Sequence, residues 1–399
     1  MDFAFRTANR ILFGAERWRE APAIAARFGT RVLLVTGASS LERTGVLKGL
    51  EDGLTRVSSG WSRWVVSREP DVALADEGAQ LCREAHCDVI LAVGGGSVID
   101  AAKAVAALVA NGGHALEYLE DVPGGGRRTI ERTPLPLVCV PTTAGSGSEV
   151  TLNSVLRVPE HRVKRSMRSD LLVPRAAVVD PTLTAGAPRD VAAAAGLDAL
   201  THLIEAYTSL GRQPITDALA LRGLRAALPA LWALAEGRAT AETRESLSLA
   251  SLLGGMVLAN AGLGAAHGLV APLGGRCAVP HGAGCARLLS ATMQANVAAL
   301  QGRAPENPAL ARYQEIAEIV AGATGAAVEH AVELLDRLRR ALGIPALGDY
   351  GVSPDDLPSI VGLSRGGSMK YNPITLTDEE LMSILLSAMQ HDGERQGLL

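Results

Sequence analysis

At 399 residues the chain exceeds the roughly 250–300 residues that one hydrophobic core organises, so two domains with ample core are expected. Apolar residues make up 48%, charged residues 20% and aromatics only 3%, with a net charge of −4. That balance excludes the basic footprint of a nucleic-acid binder, an aromatic platform for stacked bases and a polybasic membrane anchor.

The chain opens on "MDFAFRTANRILFG", where Asp2, Arg6 and Arg10 break any signal-peptide pattern. No uninterrupted apolar run reaches the ~18 residues of a spanning helix. Five cysteines, an odd number without Cys-x-x-Cys spacing, read as reduced core thiols. A cytoplasmic protein with neither a membrane nor a nucleic-acid partner is expected.

Over the first ~185 residues, β-rich runs at 31–37, 61–67, 87–96, 134–143 and 176–181 alternate with helical patterns such as "DVALADEGAQLCREAH" and "SVIDAAKAVAALVANG". Alternation of this kind implies a parallel sheet with helices on both faces, and ligands collect at the carboxyl ends of its strands. "CDVILAVGGGSVIDAAKAVA" is a strand, three glycines and a helix opened by Ser97. Gly94, Gly95 and Gly96 permit close backbone approach, and the amides of Gly96, Ser97 and Val98 would face a phosphate at the helix start. The other reading is a tight turn with Ser97 as the helix cap. The run lacks the G-x-G-x-x-G spacing of an ordinary Rossmann loop. "VPTTAGSGSEVT" (140–151) follows the next strand and crowds Thr142, Thr143, Ser146, Ser148 and Thr151 onto one turn. It is either a polar loop or the second wall of a nucleotide cleft.

After "DPTLTAGAPRD" (180–190) strand signals fade, and helical patterns follow at 191–209, 215–236, 241–260, 283–300, 309–323, 325–342, 354–364 and 377–391. We expect an α/β domain over 1–185 and an all-helical domain over 186–399. In the first of these helices Asp198 and His202 stand four residues apart on one edge, either as an ordinary i,i+4 pair or as two ligands of a metal. "AAHGLVAPLGGRCAVPHGAG" (265–284) adds His267 and His281, separated by what reads as a Gly/Pro-rich turn. All four fall in low-charge surroundings, where an isolated imidazole or carboxylate is costly. One Asp and three His relieve that cost together around a borderline divalent ion, Fe(II) or Zn(II), and leave a site charge near +1 that an alkoxide would neutralise.

"RILFG" (10–14), "GGGSVIDAAK", "PTTAGSGSEVT", "VVDP", "GLDALTHLIEAYTS", "HGLVAPLGGRCAVPHG" and "NPITLTDEEL" (372–381) together resemble the iron-containing (type III) alcohol dehydrogenase family. Glycerol dehydrogenase and dehydroquinate synthase are its relatives. The resemblance implies an N-terminal dinucleotide-binding α/β domain, a C-terminal all-α metal-binding domain and a homodimer. It implies Asp198, His202, His267 and His281 as metal ligands, with catalysis running through the metal. Gly95, Gly96 and Ser97 would cradle a pyrophosphate, and Thr142, Ser146, Asn153 and Lys164 would line the rest of the cofactor cleft. Lys164 also reads as a solvated lysine of "HRVKRSMR".

Three departures stand out. Where many members carry an acid after "VT", this chain has Gly37, which removes repulsion of a 2′-phosphate and favours NADP over NAD. A further His four residues after the third ligand is Ala271 here, so water or a ribose hydroxyl would relay the proton. Lys370, ahead of "NPI", is either a solvated lysine or a contact for an acid-bearing substrate. The expected activity is interconversion of a small alcohol and its aldehyde. The alternatives are a dehydroquinate-synthase-like lyase that borrows NAD transiently, and a non-catalytic metal- and nucleotide-binding relative.

Overall fold

The computed structural model describes residues 2–277 and 279–391. Two compact units divide the chain at Pro188–Arg189: one spans Phe5–Pro188, and the other runs from Arg189 onward and takes in the residues ahead of Phe5. The amide of Gln213 ties that leading segment down by donating to the Ala4 carbonyl at 3.0 Å.

The first unit is built on eight strands: β1 (Arg10–Phe13), β2 (Arg31–Gly37), β3 (Gly60–Val66), β4 (Val89–Gly94), β5 (Leu137–Pro141), β6 (Asn153–Val158), β7 (Val163–Arg168) and β8 (Ala176–Val179). Its helices are α1 (Ala21–Ala25), α2 (Ser40–Arg43), α3 (Val46–Val57), α4 (Val72–Glu84) and α5 (Gly96–Asn111). Six strands form one parallel sheet in the order β1-β8-β5-β4-β2-β3. Near-continuous apolar runs such as "RVLLVTG" suit strands buried on both faces. Val32, Leu34, Leu91 and Val93 point to one side with α1 and α3, while Leu33, Val35, Ile90 and Ala92 point to the other with α4 and α5. The strand order reverses between β2 and β4, where Thr36 stands opposite Val93. Their carboxyl ends, Gly37 and Gly94, thus flank the position where open α/β sheets bind ligands.

Three strands escape the sequence pattern: the four-residue edge strand β1, and β6 and β7. β6 and β7 form a separate antiparallel hairpin in which Ser154, Leu156 and Val158 face inward. Arg157, Lys164 and Arg168 share the other face, and Arg165 interrupts the inward row opposite Leu156, so the alternation is broken by charge and reads as loop.

The second unit is all helical: α6 (Arg189–Thr208), α7 (Pro214–Ala235), α8 (Ala241–Ala261), α9 (Ala265–Arg276), α10 (His281–Arg303), α11 (Ala309–Ala321), α12 (Val328–Ala341), α13 (Leu357–Leu363) and α14 (Asp378–Met389). α6 is buried on nearly every side among α7, α8 and α10, as a helix apolar all round must be. α7 is long and apolar enough to cross a bilayer, but Leu224, Leu228 and Leu231 are buried in this bundle. The expected Gly/Pro-rich turn between His267 and His281 is instead mostly helix α9, with Pro272 inside it.

Candidate metal centre and dinucleotide loop

In the α/β unit the three glycines are used for close packing. A Cβ on Gly94 would lie 2.5 Å from Val98 Cγ2, and one on Gly96 would lie 2.7 Å from Ser146 Oγ. Gly95, not Ser97, is the N-cap of α5, and Ser97 is an exposed residue of the first turn. The Val98 amide donates back to the Gly95 carbonyl at 3.0 Å, so only the Gly96 and Ser97 amides are left at the open helix end. The Thr142 amide donates to Gly94 O at 3.0 Å, which locks the glycine loop to the hydroxyl-rich one. Gly95, Gly96, Ser97, Thr142 and Ser146 are therefore brought together. Gly37 stands beside the same helix start, its Cβ position 3.8 Å from Val98 Cγ2. The Asn153 carbonyl accepts from Lys103 at 3.0 Å, and Asn153 Oδ1 is buried without a hydrogen-bond partner. Lys164, on β7, is engaged by Glu69.

Beneath these loops lies a buried charge cluster that motif reading passed over. Lys103 is fully buried and donates to Thr151 O at 2.7 Å and Thr151 Oγ1 at 2.8 Å. Burial lowers its pKa, raises that of Asp100 to about 6 and raises that of Glu149 to about 7, with mutual attraction opposing each shift. The signal was the i,i+3 pair Asp100 and Lys103 inside an Ala/Val helix. The cluster clamps "GSGSEVT" onto α5.

In the helical unit, the 3.6-residue period of α6 sets Asp198, His202 and Glu205 along one stripe. His267 lies in the first turn of α9, and His281 is the first residue of α10. The imidazole Nε2 atoms of His267, His281 and His202 stand 3.4, 3.8 and 3.9 Å from one oxygen, Asp198 Oδ1. The His202 and His267 rings stack with centroids 4.6 Å apart. Asp198, His202 and His267 are buried, whereas the His281 side chain is 45% exposed and marks the open side.

Glu205 fixes the chemistry of His267. Its Oε2 accepts from His267 Nδ1 at 2.6 Å, and its Oε1 accepts the Ala266 amide at 2.7 Å. A carboxylate only accepts, so Nδ1 carries the proton. With no ion bound, burial is outweighed by Cys285, Asp198 and Glu205, which raise the pKa of His267 well above the usual imidazole value. An ion that displaces the second proton meets an Nε2 lone pair. That lone pair faces Asp198 Oδ1, which is buried and has no hydrogen-bond partner. Two electron-rich atoms in contact need a cation between them. A charge-assisted hydrogen bond would draw them to about 2.7–2.9 Å, whereas donors about 2.1 Å from a tetrahedral ion sit ~3.4 Å apart. The donor set fits a divalent ion. Burial works against ionising Asp198, but with no ion bound the imidazolium forms of His202, His281 and His267 outweigh it and hold its carboxyl far below the usual range.

Sequence reading missed three groups here. Glu205 passes unnoticed in the sequence, although a Glu inside "LTHLIEAYT" needs a partner. Asn372 accepts from the Ala265 amide at 3.1 Å and exchanges bonds with Asn296, so "NP" anchors the start of α9. Cys285, read as a core thiol, has Sγ 3.3 Å from His267 Nε2 and 3.8 Å from His281 Nε2. Lys370 is exposed.

Family models and known proteins match both parts of the chain. The model of iron-containing alcohol dehydrogenase matches residues 8–181, and that of the Fe-containing alcohol dehydrogenase family, C-terminal, matches 192–389. Alcohol dehydrogenase 4 of Saccharomyces cerevisiae is 33% identical over 324 residues, 81% of each chain. The 1,3-propanediol dehydrogenase of Citrobacter freundii is 34% identical over 319 residues, 78% of this chain and 79% of its own. Sulfoacetaldehyde reductase from Bifidobacterium kashiwanohense, solved with NAD+, superposes with a TM-score of 0.84 at 28% identity, covering 98% of this chain and 100% of that one.

Proposed function

Because this chain belongs to the iron-containing alcohol dehydrogenase family, and is thereby an alcohol dehydrogenase, we propose that it interconverts a small alcohol and its aldehyde. NAD(P) serves as hydride carrier, and a divalent ion, Fe(II) or Zn(II), is held by Asp198, His202, His267 and His281. One observation carries the reading: three imidazole nitrogens from three helices face a single partnerless carboxylate oxygen at 3.4–3.9 Å.

When bound, the ion supplies Lewis acidity to the substrate oxygen, and the nicotinamide gives or takes hydride. Asp198 contributes the one fixed negative charge of the set, and Glu205 keeps the His267 Nε2 lone pair turned inward. His281, half-exposed, leaves the side by which a substrate oxygen enters. Ala271, one turn beyond His267 on α9, brings no imidazole, so water or a ribose hydroxyl takes the proton exchanged by the substrate. Gly96, Ser97, Thr142 and Ser146 receive the pyrophosphate. The test is steady-state turnover of ion-loaded protein with NAD(P)+ and short alcohols, and with NAD(P)H against neutral and acid-bearing aldehydes. Accumulation of NAD(P)H equimolar with aldehyde is expected; no net reduction with any alcohol would overturn the reading.

Coenzyme choice follows from Gly37. With no carboxylate at the end of β2, a ribose 2′-phosphate meets no repulsion, so the coenzyme is read as NADP ahead of NAD. Room exists for a side chain there, since the added Cβ meets nothing closer than 3.8 Å and φ is not positive. Gly37→Asp is expected to lower kcat/KM for NADP(H) relative to NAD(H) by ~10-fold or more, about 1.4 kcal/mol. Paired coenzyme kinetics check this, and an unchanged ratio would place the ribose elsewhere.

A further inference from the structure

Cys285 is the donor in this centre that the proposed reaction does not use. It follows His281 by four residues, so one turn of α10 places both side chains on the same face. Its thiol is fully buried, and Sγ lies 3.3 Å from His267 Nε2 and 3.8 Å from His281 Nε2. One ligand atom each from Asp198, His267, His281 and Cys285 falls within 4.8 Å of all the others. We propose that Cys285 Sγ is a direct donor to the ion in this chain, and that the resulting carboxylate–imidazole–thiolate set favours a thiophilic ion, zinc or cobalt, over iron(II).

A second observation points to a ligand in the same space: Asp198 Oδ1, on a residue only 4% exposed, is aimed into it without a hydrogen-bond partner. The spacing is also that of shared coordination. Metal–sulfur and metal–nitrogen bonds of about 2.3 and 2.1 Å at a tetrahedral angle put sulfur and nitrogen ~3.6 Å apart, midway between the two observed values. A thiolate then strengthens the order, zinc and cobalt above iron(II), that nitrogen and oxygen donors already give, because it is the softer ligand. On binding, the S–H bond breaks, the sulfur lone pair forms the bond to the ion, and the proton leaves to solvent. Two anionic donors lower the site charge from near +1 to near zero.

This inference rests on the donor set proposed above, and cobalt(II) separates the two. One equivalent of cobalt(II) added to the full chain is expected to give a near-ultraviolet sulfur-to-cobalt charge-transfer band. The band should vanish in Cys285→Ser and Cys285→Ala, while visible d–d bands persist and still require Asp198. Zinc affinity, measured by chelator competition, should fall in both variants by more than the ~10-fold typical of losing an outer partner. Stoichiometric, Asp198-dependent cobalt binding without the charge-transfer band would overturn the thiolate and leave the Asp–His set standing. A band that survives both substitutions would assign it to another cysteine and also overturn the proposal. No cobalt binding at all would remove both readings. The wild-type spectrum decides without a variant, should either substitution fold poorly.

Discussion

Asp198→Ala is expected to reduce turnover by ~10³-fold or more, about 4 kcal/mol of transition-state stabilisation, and to abolish stoichiometric ion binding. The reason is geometric. Asp198 Oδ1 is a neighbour that the Nε2 atoms of His202, His267 and His281 share. It also carries the charge that offsets a divalent ion in a buried setting, so its removal leaves an ion of +2 among neutral imidazoles at high desolvation cost. The fold itself should survive. Alanine has the best helix propensity and leaves the rest of α6 in place, although the ion-free variant loses the attraction of the imidazoles that holds the Asp198 carboxyl far below its usual range. Ion-free Asp198→Ala should therefore melt at or below the ion-free parent at neutral pH, and added ion, which stabilises the parent by linkage, should leave the variant unmoved. Metal analysis, calorimetry with and without ion, and kcat together check this. Full metal content with retained turnover would exclude Asp198 from the centre.

How far this centre was legible in the sequence depended on what each residue must do locally. The strand "RVLLVTG" coincides with β2 because a strand buried on both faces needs an unbroken apolar run. Asp198 and His202 were readable as a pair because i,i+4 spacing on a helix is a local property. α9 was not: Gly268, Pro272, Gly274 and Gly275 are helix breakers by propensity, and "AAHGLVAPLGG" reads as a turn. What makes it a helix is distant in sequence. Glu205 and Asn372 accept its first amides, and its glycines admit neighbours: a Cβ on Gly268 would lie 2.8 Å from Met369 Cε. The hairpin β6–β7 failed for the opposite reason, since its outward charges hide an inward alternation. Cys285 fell between the two cases. Its spacing from His281 was visible, but a buried thiol in an apolar helix has an ordinary explanation until the neighbouring imidazoles are located.

Glu205→Gln tests the carboxylate that stands behind the donors. Glutamine keeps the volume but offers one acceptor oxygen, whereas Glu205 serves the Ala266 amide through Oε1 and His267 Nδ1 through Oε2. Whichever bond the amide oxygen keeps, its NH2 group then confronts another N–H, either that of the helix start or that of the ring. Losing the ring's partner frees the His267 tautomer, so Nε2 no longer presents its lone pair reliably, and ion affinity is expected to fall ~10–100-fold. Losing the amide's partner instead costs about 0.5–2 kcal/mol at the start of α9, as the loss of a helix cap does. The two outcomes separate by their dependence on ion. A residue that only caps α9 lowers Tm equally with and without ion and leaves the ion dissociation constant unchanged. A residue that positions His267 weakens ion binding, lets saturating ion restore most of kcat, and narrows the ion-induced rise in Tm. The buried contact of Glu205 Oε2 with the ring nitrogen Nδ1, at 2.6 Å, makes the second outcome the expected one. A dissociation constant for the ion equal to the parent's would reassign Glu205 to the helix start alone.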